Sequence, residues 1–222
     1  MNRTDPLQVW DLPVRLFHWS VVVLVTLSWV AVENGYMKVH LWSGLVLLTL
    51  LLFRLTWGFI GSTTARFADF ARAPRHAVAY LRSLGRGEHP KHLGHNPAGG
   101  WMVVLLLAAL LTQAVTGLFA NDGVRFNGPL ATLVSSGLSD RLTRLHGLVF
   151  NVILLLVWMH IVAVLYYRCV RGENLIAAMI TGKRARGEMA PHGQLQFVRH
   201  RWALLSLAIA AALVWWIATP PS

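Results

Sequence analysis

LHGLVFNVILLLVWMHIVAVLYY, residues 145–167, runs for 23 positions without a charge and carries histidines at 146 and 160. A helix needs about 20 residues, at about 1.5 Å each, to cross roughly 30 Å of hydrocarbon. The stretch is therefore a membrane span. Its two histidines are 14 positions apart. Fourteen steps of about 100° come within about 40° of whole turns, so both side chains share one face, about 21 Å apart along the axis. One imidazole lies near the outer surface and the other toward the inner one.

Four further stretches have the same character. With Leu145–Tyr167, the expected spans are Leu12–Val32, Val39–Ile60, Trp101–Ala120 and Trp202–Ala218. Asp11 suits a helix cap and Pro13 a first helical turn, so the first span starts ahead of its strictly apolar part. It is not expected to be a cleaved signal, because no small-residue cleavage site follows Val32. The chain is 55% hydrophobic and only 13% charged, whereas soluble domains carry about a quarter charged residues. Disorder is excluded and an ordinary soluble globule disfavoured; ten Trp point to membrane interfaces. Residues 1–222 read as a single all-α integral membrane domain of five helices. The Gly61–Gly100 loop holds an amphipathic helix at Ala73–Leu84. Arg168–Arg201 holds an apolar run, Leu175–Ile180, then basic Lys183–Arg186, and is expected along the inner surface. Asn121–Arg144 reads as an outer loop.

The formal net charge is +11. With the N-terminus in the cytoplasm and the C-terminus outside, fifteen of the 20 Lys and Arg fall in cytoplasmic segments. Lys38, Arg125, Arg141 and Arg144 lie on the other side, and Arg54 lies within a span. The positive-inside rule selects that orientation. The charge is thus topology and attraction to anionic lipid, and no nucleic-acid partner is expected.

No Asp or Glu falls in a span, which weighs against a proton-coupled transporter. The polar groups in or at the ends of spans are chiefly His18, His40, His146 and His160. By depth, His18 on the first span matches His160, and His40 on the second matches His146. Two stacked cross-helix pairs suit two haems with two axial imidazoles each. Cys169 is the single cysteine, so neither a disulfide nor a CxxCH attachment is available and the haems would be non-covalent. Such haems carry electrons across the membrane. The alternative for each histidine is an interhelical hydrogen bond.

Arg54 lies 14 residues after His40 and shares its face at the depth of the inner pair. It would meet a haem propionate or a quinone oxygen, or else snorkel to the surface. Arg141 and Arg144, just before His146, would hold outer propionates or dock an acidic partner, or serve the helix start. Trp19 and Trp42 are candidate quinone neighbours, or interface anchors. His89, His92 and His95 form either a metal cluster or a solvated loop. No residue stands out for quinol deprotonation.

VWDLPVRLFHW around His18, HLWSG with His40, LFRLTWGFIG, GHNPAGG at 94–100, the 146/160 pair and ENLIAAMITGKR at 173–184 recur in the order found in a known group. The chain resembles the prokaryotic cytochrome b561 family, in its nickel-iron hydrogenase cytochrome b branch, over nearly its whole length. The resemblance implies a four-helix bundle holding two bis-His b haems, here with an additional C-terminal helix, often as a homodimer in the bacterial inner membrane. It implies electron exchange between the quinone pool and a partner such as a hydrogenase, a dehydrogenase or a c-type cytochrome. Two rivals stand beside it: a stand-alone oxidoreductase passing electrons from superoxide or another small donor to quinone, and a haemless permease.

Overall fold

The computed structural model describes residues 6–88, 90, 92, 94–124, 126–184 and 195–219. Its helices are α1 (Leu12–Glu33), α2 (Met37–Ile60), α3 (Phe67–Phe70), α4 (Pro74–Gly85), α5 (Pro97–Leu118), α6 (Ser136–Cys169), α7 (Leu175–Thr181) and α8 (His200–Ala218). Two dipeptide strands, β1 (Leu7–Gln8) and β2 (Lys183–Arg184), pair antiparallel, with Leu7 opposite Arg184. Helices α1, α2, α5, α6 and α8 are long and apolar enough to span a bilayer. The chain is an all-α, multi-pass membrane protein. Val23, Leu155, Trp158, Leu204 and Trp216 stay exposed on these helices. Lipid tolerates such a surface; water would not.

Local chemistry sets the helix ends. Asp11 Oδ1 accepts from Val14 N–H at 2.9 Å, the cap expected for α1. After α1, Gly35 takes φ 73°. Gly35 N–H then donates to Val32 O at 3.0 Å and Tyr36 N–H to Ala31 O at 2.8 Å, closing a Schellman motif. A three-residue link suffices, so α2 starts at Met37, ahead of the expected Val39.

Two spans begin earlier than hydropathy indicates. Asn96 Oδ1 accepts from Gly99 N–H at 2.7 Å, so α5 starts at Pro97 rather than Trp101. The larger correction concerns α6, which starts at Ser136 rather than Leu145. Its first turns are polar because they bind a loop. Ser139 Oγ donates to Phe119 O at 2.7 Å, and Asn121 Nδ2 donates to Ser139 Oγ at 2.6 Å and to Asp140 at 3.0 Å. The outer loop is correspondingly shorter than Asn121–Arg144. At 34 residues, α6 is about 51 Å long and overruns the hydrocarbon.

The chain forms two compact units. The first comprises Met1–Leu16, Thr56–Leu106 and Leu156–His200. In it parts of several of the quoted signature stretches meet. Val9 and Trp10 N–H both donate to Gly182 O, at 2.7 and 3.1 Å, and Thr64 Oγ1 donates to Val9 O at 2.5 Å. Asp11 Oδ2 accepts from Nε1 of the fully buried Trp57 at 2.9 Å. Arg184 pairs with Glu173 at 2.6 Å, and Arg15 donates to Ile180 O. Gly182, at φ 80°, ends α7 against Trp10 O, where a Cβ would lie 2.8 Å from that oxygen.

The second unit comprises Phe17–Leu55, Leu107–Leu155 and Arg201–Ser222. Its core joins Leu45 and Leu48 of α2, Leu118 of α5 and Val214 of α8, so the C-terminal helix packs on the spans rather than standing apart.

Candidate functional site

The second unit brings two of the predicted histidines together. His40 lies one turn into α2, and His146 lies ten residues into α6. Their ring centres are 6.0 Å apart, with planes at 81°. His40 Nδ1 lies 3.0 Å from Ser28 O and 2.9 Å from Ser28 Oγ. His146 Nδ1 lies 2.9 Å from Gln113 O and 3.3 Å from Thr116 Oγ1. A carbonyl oxygen can only accept, so Nδ1 carries the hydrogen in both rings. Thr116 Oγ1 spends its own hydrogen on Thr112 O at 2.8 Å. In each neutral ring the lone pair is left on Nε2, where a metal would take it.

Two neutral imidazoles with ring centres 6.0 Å apart, each with its lone pair on Nε2, are a donor set that a b-type haem iron would accept. Gly117 completes the cradle: a Cβ there would lie 3.0 Å from His146 Cε1 and 3.3 Å from Nδ1.

The other predicted residues are placed as follows. His18 belongs to the second unit, half-buried, its ring 5.0 Å from Trp19. His160 is half-buried in the first unit. Arg54 is 2% exposed, enclosed by protein rather than extended to a surface. Arg141 and Arg144 are exposed on the first turns of α6, on a helix and not in the expected loop. Trp19 and Trp42 are exposed.

Sequence reasoning missed the residues that orient the ligands. Ser28 and Gln113 act through main-chain carbonyls, which leave no mark on residue type. Gly117 and the hydroxyls of Ser28 and Thr116 carried the only available signal, a small residue and two hydroxyls in apolar spans.

It also missed a hydroxyl cluster in the first unit. Tyr80 and Tyr167 hydroxyls are 2.5 Å apart, and Asn96 Nδ2 donates to Tyr167 Oη at 2.9 Å. Burial pushes the Tyr80 hydroxyl above the ordinary tyrosine value; the bond to Tyr167 opposes this, Glu173 reinforces it and Arg171 opposes it. Of the nearby histidines, His92 and His95 are half-buried against aromatic rings. The ring of His95 sits 4.6 Å from Trp10 and 4.7 Å from Phe70, and that of His92 sits 5.3 Å from Tyr80. Among the described residues no metal-binding group of three appears; His89 lies outside them.

A model of the family described as prokaryotic cytochrome b561 matches residues 9–182. A curated protein of Rhizobium leguminosarum bv. viciae, "Probable Ni/Fe-hydrogenase B-type cytochrome subunit", is 27% identical over 212 residues, 79% of this chain and 87% of that protein. No solved structure matches the chain.

Proposed function

The chain belongs to the prokaryotic cytochrome b561 family, and from that premise we propose that it carries electrons across the bacterial inner membrane through two bis-His b haems. Membership itself implies haem b and membrane electron transfer, which displaces the haemless permease. The finer reading assigns His40 and His146 to the outer haem and His18 and His160 to the inner one. The observation that carries it is the His40–His146 pair at 6.0 Å, each Nδ1 tied to a carbonyl.

A haem held there would supply one-electron ferrous–ferric chemistry. The protein's residues supply the setting. His40 and His146 present neutral nitrogens, and Ser28 and Gln113 fix their tautomers and ring angles. Held by both rings, a haem would be closed to small-molecule ligands. The apolar spans hold the site dry. Arg54, buried in the second unit, would supply a positive charge for haem propionates.

By this reading the chain is a single functional domain with its N-terminus in the cytoplasm and its C-terminus in the periplasm. Its partners are the quinone pool and a redox protein: a hydrogenase, as the name of the rhizobial relative suggests, a dehydrogenase or a c-type cytochrome. Arg141 and Arg144 on α6 offer that partner a basic contact on the outer side. The test is a reduced-minus-oxidised spectrum with a haem count on purified protein. Two low-spin haems b are expected, with one lost in His40→Ala and a different one lost in His160→Ala. A single haem, or loss of neither, overturns the assignment.

A further inference from the structure

We propose that α4 is an anionic-phospholipid binding element, docked flat on the inner membrane surface through Arg75, Arg82 and Arg86 with Val78 and Leu81 inserted among the lipids. The proposal rests on the membrane reading alone and not on how the haems are ligated.

The helix divides by angle into sectors with different surroundings. Tyr80 is buried and Ala77 and Leu84 are half-buried, on the side turned to the protein. At about 100° per residue, Leu81 and Val78 follow next around the axis, and Arg82, Arg75 and Arg86 come after them. Val78 and Leu81 are 47% and 57% exposed. All three arginines are exposed, and none is in an ion pair among the described residues. The neighbouring acids change little: Asp69 is already paired with Arg66 at 2.8 Å, and Glu88 stands alone beyond the helix end. An exposed apolar stripe bordered by arginines is the pattern of a helix lying in a bilayer interface.

The packing of the first unit also keeps α4 at the membrane edge. Trp101 Nε1, in the second turn of α5, donates to Arg72 O at 2.8 Å. Gly100 faces Phe70 so closely that a Cβ would lie 2.6 Å from Phe70 O. Tyr80, midway along α4, meets Tyr167 near the end of α6 at 2.5 Å. The start of α5 and the end of α6 lie on the same side of the membrane, because these are consecutive spans. The helix is thus held against two span ends, within reach of headgroups. A soluble acidic protein would satisfy the arginines but would leave Val78 and Leu81 in water. A bilayer satisfies both.

The test places a nitroxide on Leu81→Cys in a Cys169→Ser background. The full chain is reconstituted in nanodiscs of phosphatidylcholine or of phosphatidylglycerol. Collision rates with oxygen and with a water-soluble nickel chelate report whether the label lies in lipid. The oxygen-to-nickel ratio should rise several-fold in phosphatidylglycerol and fall back in high salt. Each arginine near an anionic surface favours the docked state roughly fivefold, so the Arg75→Gln/Arg82→Gln/Arg86→Gln variant should lose on the order of a hundredfold in docking. Single Arg→Gln variants and the salt titration keep the test decisive if the triple variant does not fold. A label that is equally wet in both lipids, equally buried in both, or indifferent to salt and to the substitutions overturns the proposal.

Discussion

Replacing Gly117 by alanine separates the stability of α5 from its service to a ligand. Gly117 is the next-to-last residue of α5, so Gly→Ala there favours the helix by less than the about 1 kcal/mol of a helix interior. At this position the added methyl lies 3.0 Å from His146 Cε1 and 3.3 Å from Nδ1. Carbon pairs prefer about 3.5–4.0 Å, so the ring must yield by about 0.5 Å or more. It cannot yield freely, because Nδ1 is held 2.9 Å from Gln113 O. Either that bond stretches, or the side chain leaves its rotamer at about 0.5–1.5 kcal/mol. Loss of an orienting contact to a metal ligand lowers affinity about 10–100-fold. Gly117→Ala should therefore bind the outer haem about tenfold more weakly, while the inner haem and the helix content are unchanged. Gly117→Leu should lose the outer haem outright. Haem transfer to an excess of apomyoglobin gives the loss rates, and the pyridine haemochrome gives the counts. If Gly117→Ala retains both haems with wild-type loss rates and spectra, the cradle argument fails and His146 is not an axial ligand in the orientation described.

Other consequences are read separately. Asp11→Ala removes the acceptor of both Val14 N–H and Trp57 Nε1, at a cost of about 2 kcal/mol, seen as a lower thermal midpoint in detergent. Arg184→Ala leaves Glu173, 19% exposed, without its partner. Destabilisation should be on the order of 1–2 kcal/mol, read as a lower thermal midpoint. Tyr80 titrates higher folded than unfolded, so its contribution is complete below about pH 10 and is lost as pH rises through its folded value. Tyr80→Phe should flatten the alkaline fall in melting temperature above about pH 10, and an unchanged fall would clear Tyr80 of the effect.

The parts of this protein legible in its sequence are those written in side-chain type and helical period. Five apolar runs announced five spans, and a 14-residue spacing put His146 and His160 on one face. Hydropathy missed the starts of α5 and α6 because polar residues there satisfy caps and a loop. Asn96 and Ser139 look like surface residues until their partners are known. The meeting of the N-terminal, Gly94–Gly100 and 173–184 signatures was illegible for another reason. Each is short, and what joins them are contacts across long stretches of chain, such as Gly182 O to Val9 N–H and Asp11 to Trp57.

The hidden part of the site has a physical logic of its own. A histidine ligand must present Nε2 without its hydrogen, so something must hold the hydrogen on Nδ1. A side-chain carboxylate would do this at the cost of a buried charge in the span. A helix carbonyl adds no charge, but within a regular helix it is already bonded four residues on. Ser28 and Gln113 lie in helix interiors, and each lends its oxygen to a ring from another helix. Thr116 Oγ1, its hydrogen given to Thr112 O, lies 3.3 Å from His146 Nδ1 and accepts from it as well. A span with no carboxylate can thus still orient a metal ligand, and the hydroxyls of Ser28 and Thr116 are the one trace of it that residue type records.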